Sequence, residues 1–420
     1  MYAGKISWYR KPWVVSYFLV LQTRHDNQAS QARVSMAWAV LALALLLLWQ
    51  FLTVHYNRAG NWTALFLTGE DRAIPPDLAA GTYTFPGQGF DGEMYRYVAH
   101  DLFLRRGYVK YIDGPAQRYH RILVPALAYL LVAGHQPWID ASYIAVIAAF
   151  VLLGAYWLSR WAVLAGRHPA WALAFLLAPA TLISMDRMTV DVALAAFTVA
   201  FALYWRTGAW TRLFLVLVLA CLARESGVFL VGGCCLLELF SLRLVRAAIW
   251  ASTALPALVW YVFIRHVLPE KTHFGVPRWF ASKLAPGIFH SLLQPPRYPL
   301  PPLLDAIARW SDVLSLTAIL LASLLAILFL RSRPLNPLAI AAVLFVVLVL
   351  VLTNTRYWND VNGYARVFSP LLLLVGLGTL AGEGRVPWWT GLVPAIFVDL
   401  RLSLEFASAA GGVVRGLLRQ

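Results

Sequence analysis

What most restricts this chain is a succession of apolar runs that carry almost no charge, separated by polar connections. The runs fall at 36–54, 122–133, 139–158, 171–184, 190–205, 213–222, 228–240, 247–264, 313–330, 335–352, 367–380 and 389–398. A helix needs about 20 mostly apolar residues to cross a bilayer, and several runs approach that length. Of the 420 residues, 60% are hydrophobic and 13% charged, with a mean hydropathy of +0.66. Soluble domains carry about a quarter charged residues, so a soluble globular fold is excluded. Short alternating strands are absent, and lipid obliges each spanning segment to satisfy its own backbone groups. The expected fold is therefore an all-α polytopic membrane protein. Trp157, Trp161, Trp205 and Trp210 lie where run ends would meet headgroups.

The net charge of +15 comes from basic residues spread through short connections. That distribution fits membrane orientation and contact with anionic lipid or phosphate, and no nucleic-acid partner is expected. Cys221, Cys234 and Cys235 lie within apolar runs and match neither a disulfide framework nor a metal motif. Residues 1–35 lack a clean signal peptide and are expected to form a cytoplasmic or interfacial segment, with Lys5, Arg10 and Lys11 near headgroups. Residues 36–420 then form one transmembrane domain, with a first outer loop at 55–121 and a second at 265–312.

Five Lys or Arg precede the first run, which places the N-terminus inside. Arg160/Arg167, Arg206/Arg212, Arg243/Arg246, Arg331/Arg333 and Arg385 mark the other cytoplasmic connections, and all counts agree if the twelve-residue run 122–133 does not cross. The remaining ionisable residues then fall on the outer side: Asp91, Glu93, His100, Asp101, Asp113, Arg118, His120, Arg121, Asp186, Arg187, Arg224, Glu225, Arg356, Asp360 and Arg366. The expectation is one outward-facing pocket that gathers them.

Each candidate also has a plainer reading. In GFDGEMYRYVAHD, Asp91 either caps a helix or serves as a catalytic carboxylate. The helix it opens reads as amphipathic, with Met94, Tyr97, Val98 and Leu102 expected on the membrane surface. Asp91 and Glu93 could share Mg2+ or Mn2+ with phosphate oxygens, or simply favour the helix dipole. In RYHRILVP, Arg118, His120 and Arg121 either snorkel or hold a phosphate. Asp186, Arg187 and Asp191, like Arg224 and Glu225, are charges beside apolar runs, where ionisable groups pair or line a cavity. Arg356, Tyr357, Asp360, Asn362 and Arg366 fit a sugar-phosphate edge or a wet loop.

There is no G-x-x-x-x-G-K-[ST] or G-x-G-x-x-G element, so the chain shows no nucleotide engine of its own. A site on the outer face also has no access to cytosolic nucleotide sugars. Glycosyl transfer there needs a donor tethered to the membrane, which a polyprenyl-phosphate sugar supplies. Phosphate is a tolerable leaving group, so the useful residues are a base for the acceptor hydroxyl and cations for the growing phosphate charge.

The stretches GFDGEMYRYVAHD, DGPAQRYHRILVP, MDRMTVDVALAAF, LARESGVF and NDVNGYARVFSP resemble the GT-C superfamily of integral membrane glycosyltransferases. GFDGEMYRYVAHD is similar to the D-G-x-x-Y-x-x-x-A form of bacterial mannosyltransferase-like members. The resemblance implies a bundle of roughly 10–13 transmembrane helices with amphipathic helices in the first outer loop, and an inverting monosaccharide transfer with Asp91 in the catalytic acidic position. It further implies a polyprenyl-phosphate sugar donor, a lipid-linked, glycan or protein acceptor, and a bacterial inner membrane with the site facing the periplasm or exterior. Asp-Gly-Glu departs from the Asp-x-Asp of some relatives, which leaves metal use open. A lipid or glycan transporter without glycosyl transfer is the alternative reading, and an assembly scaffold is the third.

Overall fold

The computed structural model describes residues 12–268, 285–331, 335–382 and 386–418. Its regular structure is helical apart from two two-residue strands, as expected where apolar runs must bond their own backbone. Among the described residues four helices are long and apolar enough to cross a membrane: Ala29–Asn57, Gln136–Leu164, Pro302–Phe329 and Val361–Leu380. Two bent pairs, Pro169–Leu177 with Pro179–Arg187 and Leu244–Ser252 with Leu255–Val267, raise the number to six if each is one span. Trp210–Ala223 and Pro337–Val351 have 14 and 15 residues. At about 1.5 Å per residue they reach roughly 21–23 Å, less than the ~30 Å hydrocarbon core. A bundle of the expected size needs these shorter helices as spans too.

The first helix runs without a break over Pro12–Asn57, and its part Ala29–Asn57 is the candidate span. Lys5, Arg10 and Lys11, Arg333 and Arg385, and part of the 265–312 loop lie outside the described residues. The run 122–133 forms a nine-residue helix, Leu123–Leu131, with Leu130 and Leu131 exposed. Nine residues rise about 14 Å, too little to cross alone.

Val361–Leu380 is the central element. It packs against Asp191–Thr207, Pro337–Val351, Pro302–Phe329, Pro179–Arg187 and Val393–Leu417, and is buried along nearly its whole length. The first helix instead leaves Leu41, Leu48 and Phe51 uncovered, the surface expected against lipid tails.

The 55–121 connection folds into a cap. Strands Thr68–Gly69 and Thr84–Phe85 pair in parallel, Thr68 opposite Thr84. The helix Asp91–His100 follows, and it does not lie on the membrane. Met94, Tyr97, Val98 and Leu102 are buried in a second apolar cluster with Tyr108, Ile112, Ala116, Tyr119, Ile122 and Ile264. The amphipathic face has found a protein partner because the loop is long enough to build its own core. The other face is also covered: Arg96 reaches Asp140 through Nε (2.8 Å) and Nη2 (2.7 Å), and donates through Nη1 to Thr82. His100 Nε2 meets the same carboxylate at 3.0 Å. Asp101 accepts the backbone N–H of Arg105, Arg106 and Tyr108, and the Tyr119 hydroxyl donates to its carbonyl. His100 and Asp101 are thus structural ties of the cap.

Replacing one partner of a buried ion pair costs about 3–5 kcal/mol because the other is left uncompensated. Asp140→Ala strands the buried Arg96. The expected result is a lower thermal midpoint in detergent and faster tryptic cleavage at Arg105 and Arg106; an unchanged cleavage rate would show that the pair does not hold the cap.

Candidate functional site

Asp91 is the first residue of its helix, and its side chain does not cap it. Phe90 occupies the N-cap position and no side-chain cap bond is made there. The Asp91 carboxylate instead faces two guanidiniums: Arg118 Nη2 donates to Oδ1 at 2.8 Å, and Arg366 Nη1 lies 2.5 Å from Oδ2. The Asp-Gly sequence has a steric reason. A Cβ on Gly92 would collide with the Arg187 carbonyl, so glycine lets the helix start approach the bend after Pro179–Arg187. Gly89 takes φ +69°, the left-handed region where side chains are strained, to turn the chain into that start.

Arg366 stands on the buried central helix, 7% exposed, and meets a second acid, Asp191, at 3.7 Å. Asp191 opens the helix Asp191–Thr207 and is also paired with Arg224. Arg224 is the extended residue before the turn Glu225–Gly227. Its neighbour Glu225 faces elsewhere, accepting from Arg121 Nε at 2.9 and 3.1 Å. Arg121 also donates to the Tyr95 hydroxyl at 2.8 Å. On the outer side Arg118 is shared with Asp113, which Arg72 also meets at 3.1 Å. Four guanidiniums, from Arg118, Arg121, Arg224 and Arg366, therefore converge with the carboxylates of Asp91, Asp191 and Glu225.

The charges fill the space with one another. The Asp91 side chain is 18% exposed, held by arginines where an open chamber was expected. A cavity of about 350 Å³ lies elsewhere in the cap, lined by Pro76, Asp77, Arg106, Tyr108, Lys110 and Tyr111. Burial alone would push the Asp91 carboxyl up, but Arg366 and Arg118 outweigh it and hold it well below the usual carboxylate range. Burial pulls Arg118 the other way, and Asp91 more than compensates, raising it.

The other candidates separate into those near the cluster and those serving the fold. Arg187 lies 3.8 Å from Asp186 and 3.6 Å from Glu405, over the Phe90 ring. Arg366 lies over the same ring, so Phe90 sits between two cations beside Asp91. His120 packs its ring against Tyr261 at 4.3 Å. Tyr357 is close enough to Arg121 and Arg224 to act on their charge. Asp360 is the N-cap of the central helix, accepting the Asn362 N–H at 3.0 Å. Arg356 is exposed, with no side-chain ion pair among the described residues.

Asp91 and Glu93 do not make a joint cation site. Glu93 is fully buried, its Oε1 accepting from the Tyr97 hydroxyl at 2.9 Å and its Oε2 from the Gly69 N–H at 3.2 Å. Burial raises its carboxyl. Residues two apart on a helix do not face each other, and Asp91 is already committed to arginines. Among the described residues no group of three or more His, Cys, Asp or Glu side chains is placed to hold a metal ion.

A further buried network was not among the sequence candidates. Arg401 Nε donates to Asp312 at 2.6 Å, Nη1 to Glu405 at 3.0 Å and Nη2 to the Tyr298 hydroxyl at 3.1 Å, while Tyr298 donates to Asp312 at 2.7 Å. Charges inside long apolar stretches could have flagged it: Asp312 lies in Pro302–Phe329, and Arg401 and Glu405 in Val393–Leu417.

Compared with protein-family models, curated proteins and solved structures, the chain shows no match in any of the three. The functional reading therefore stands on these residues.

Two outcomes are expected. A carboxyl held low in the folded state contributes stability that is complete above its unfolded value and fades as pH falls through the folded one. The stability difference between the native protein and Asp91→Asn should thus be full above about pH 5 and shrink as pH drops below about 4, read by thermal unfolding in detergent. Asp191→Leu leaves Arg224 uncompensated and should cost about 3–5 kcal/mol; adding Arg224→Met should recover part of the loss, and a double variant worse than the single would contradict the pairing.

Proposed function

We propose that the chain is an inverting glycosyltransferase of the GT-C type, moving a monosaccharide from a polyprenyl-phosphate sugar to a lipid-linked, glycan or protein acceptor on the non-cytoplasmic face of a bacterial inner membrane. The observation that carries this reading is the carboxylate of Asp91 held between Arg118 and Arg366, with Arg121 and Arg224 in the same charged cluster. Arg366 lies on Val361–Leu380, one of the helices apolar enough to cross a membrane.

The chemistry needs one acid and several cations. The acceptor oxygen attacks the anomeric carbon from the face opposite the lipid phosphate. The bond from that carbon to the phosphate oxygen breaks, and its electron pair stays on the phosphate. The hydroxyl proton passes to the Asp91 carboxylate. Arg366 and Arg118 are placed to meet the charge growing on the leaving phosphate, and Arg224 and Arg121 add positive potential from beneath. Phe90, held between Arg187 and Arg366, offers a ring edge beside the reacting sugar. Tyr357 and Tyr95 add hydroxyls at the floor.

A positioned general base contributes about 10²–10⁴-fold. Asp91→Asn, reconstituted with a radiolabelled polyprenyl-phosphate sugar, should lose transfer by that factor, whereas Glu93→Gln should lower stability more than turnover per folded molecule. Chelation should leave turnover unchanged, since the acid pair is not arranged for a cation. Full transfer by Asp91→Asn would end the reading, and donor-independent movement of a glycan across the bilayer would favour a transporter.

A further inference from the structure

Both oxygens of Asp91 are occupied, one by Arg118 at 2.8 Å and one by Arg366 at 2.5 Å. Each oxygen keeps a further acceptor site, but a carboxylate pinned between two guanidiniums is a weak base, and the cations meant for phosphate are already neutralised. We propose that Asp91 is the resting counter-ion of the phosphate site: the donor phosphate takes Arg366 and Arg118 from it, and only this exchange frees the carboxylate for the acceptor hydroxyl. The inference rests on the donor chemistry proposed above and adds the order of events at the same site.

Three features support the exchange. Arg366 is under-used: its Nε is buried without a hydrogen-bond acceptor, and its Nη1 meets Asp91 and Asp191 without hydrogen-bond alignment. A guanidinium has five N–H donors in a fixed fork that fits phosphate oxygens two at a time. Neither arginine loses its footing when Asp91 departs, because Arg118 keeps Asp113 at 2.8 Å and Arg366 keeps Asp191 at 3.7 Å. Asp91 also stands at the first turn of its helix with 18% of its side chain exposed, whereas Asp191 is 2% exposed. The carboxyl is held well below its usual range while the arginines hold it, a poor base. Removing them to phosphate raises its proton affinity when the acceptor needs it.

Competition for the same cations gives an opposite sign from ordinary substrate contact. A carboxylate that helps bind the donor weakens binding when neutralised; one that competes with it strengthens binding. The test is the affinity of the full-length protein in nanodiscs for polyprenyl phosphate carrying no sugar, with inorganic phosphate as a parallel probe, for native protein and Asp91→Asn. Asp91→Asn should bind polyprenyl phosphate about tenfold more tightly, equivalent to about 1.4 kcal/mol. The same direction with inorganic phosphate would support recognition of phosphate alone; tightening confined to the lipid would support exchange that also requires the chain. Equal or weaker binding by Asp91→Asn overturns the proposal, as does binding by neither protein. Thermal unfolding checks the fold of the variant, whose midpoint should rise more on adding polyprenyl phosphate than that of native protein. The two readings fail separately. Tighter binding by a protein that transfers no sugar spares the exchange and ends the enzyme, while weaker binding with transfer lost spares the enzyme and ends the exchange.

Discussion

A guanidinium on the most enclosed helix of the molecule sets the terms for everything around it. Arg366 cannot shed its charge, and an arginine at membrane depth must meet acids or water. Its acids come from two separate elements, Asp191 on the helix it packs against and Asp91 on the cap. The ion set is therefore complete only when the cap is docked on the bundle. Buried ion pairs add little net stability over apolar packing, yet breaking one is expensive. Their effect here is to make one docking geometry far better than its neighbours: a cap displaced by a few ångströms would part Arg366 from Asp91 and Arg121 from Glu225 together.

The second buried network extends that constraint to the C-terminal helix. Arg401 ties Val393–Leu417 to Asp312 on Pro302–Phe329, and Glu405, one turn further on, reaches Arg187. Arg187 in turn lies over the Phe90 ring, which Arg366 also meets. A continuous set of charged and aromatic contacts thus runs from the last helix to the residue before Asp91.

What the sequence made legible was charge out of place. Asp91, Arg118, Arg121, Arg224, Glu225 and Arg366 were all conspicuous as ionisable groups beside apolar runs, and the structure brings them into one cluster. Partners were not legible, because pairing depends on which helices touch. Arg96 and Asp140 are 44 residues apart, and Asp312 and Arg401 are 89 apart. Asp-Gly-Glu looked like a pair, yet its two acids diverge, one to arginines and one into the strand turn. The apolar face of the Asp91 helix was readable as a face, but periodicity cannot say whether lipid or protein covers it. Helix number was the least readable property, since prolines at 169, 179, 256 and 337 divide or shorten runs that composition alone presents as spans.

The charge balance of the recess also limits how a phosphate can enter it. Adding an anion beside three carboxylates in a poorly solvated site is costly, and withdrawing a carboxylate first would leave bare guanidiniums, which is costlier still. Exchanging one anion for another at the same cations avoids both states: the local charge stays nearly constant while Asp91 moves outward to water. The same logic explains why the acid belongs on the cap and not on the bundle. A carboxylate on a central helix, like Asp191 at 2% exposure, has no water to move to, whereas Asp91, on the first turn of a cap helix, keeps 18% of its side chain exposed.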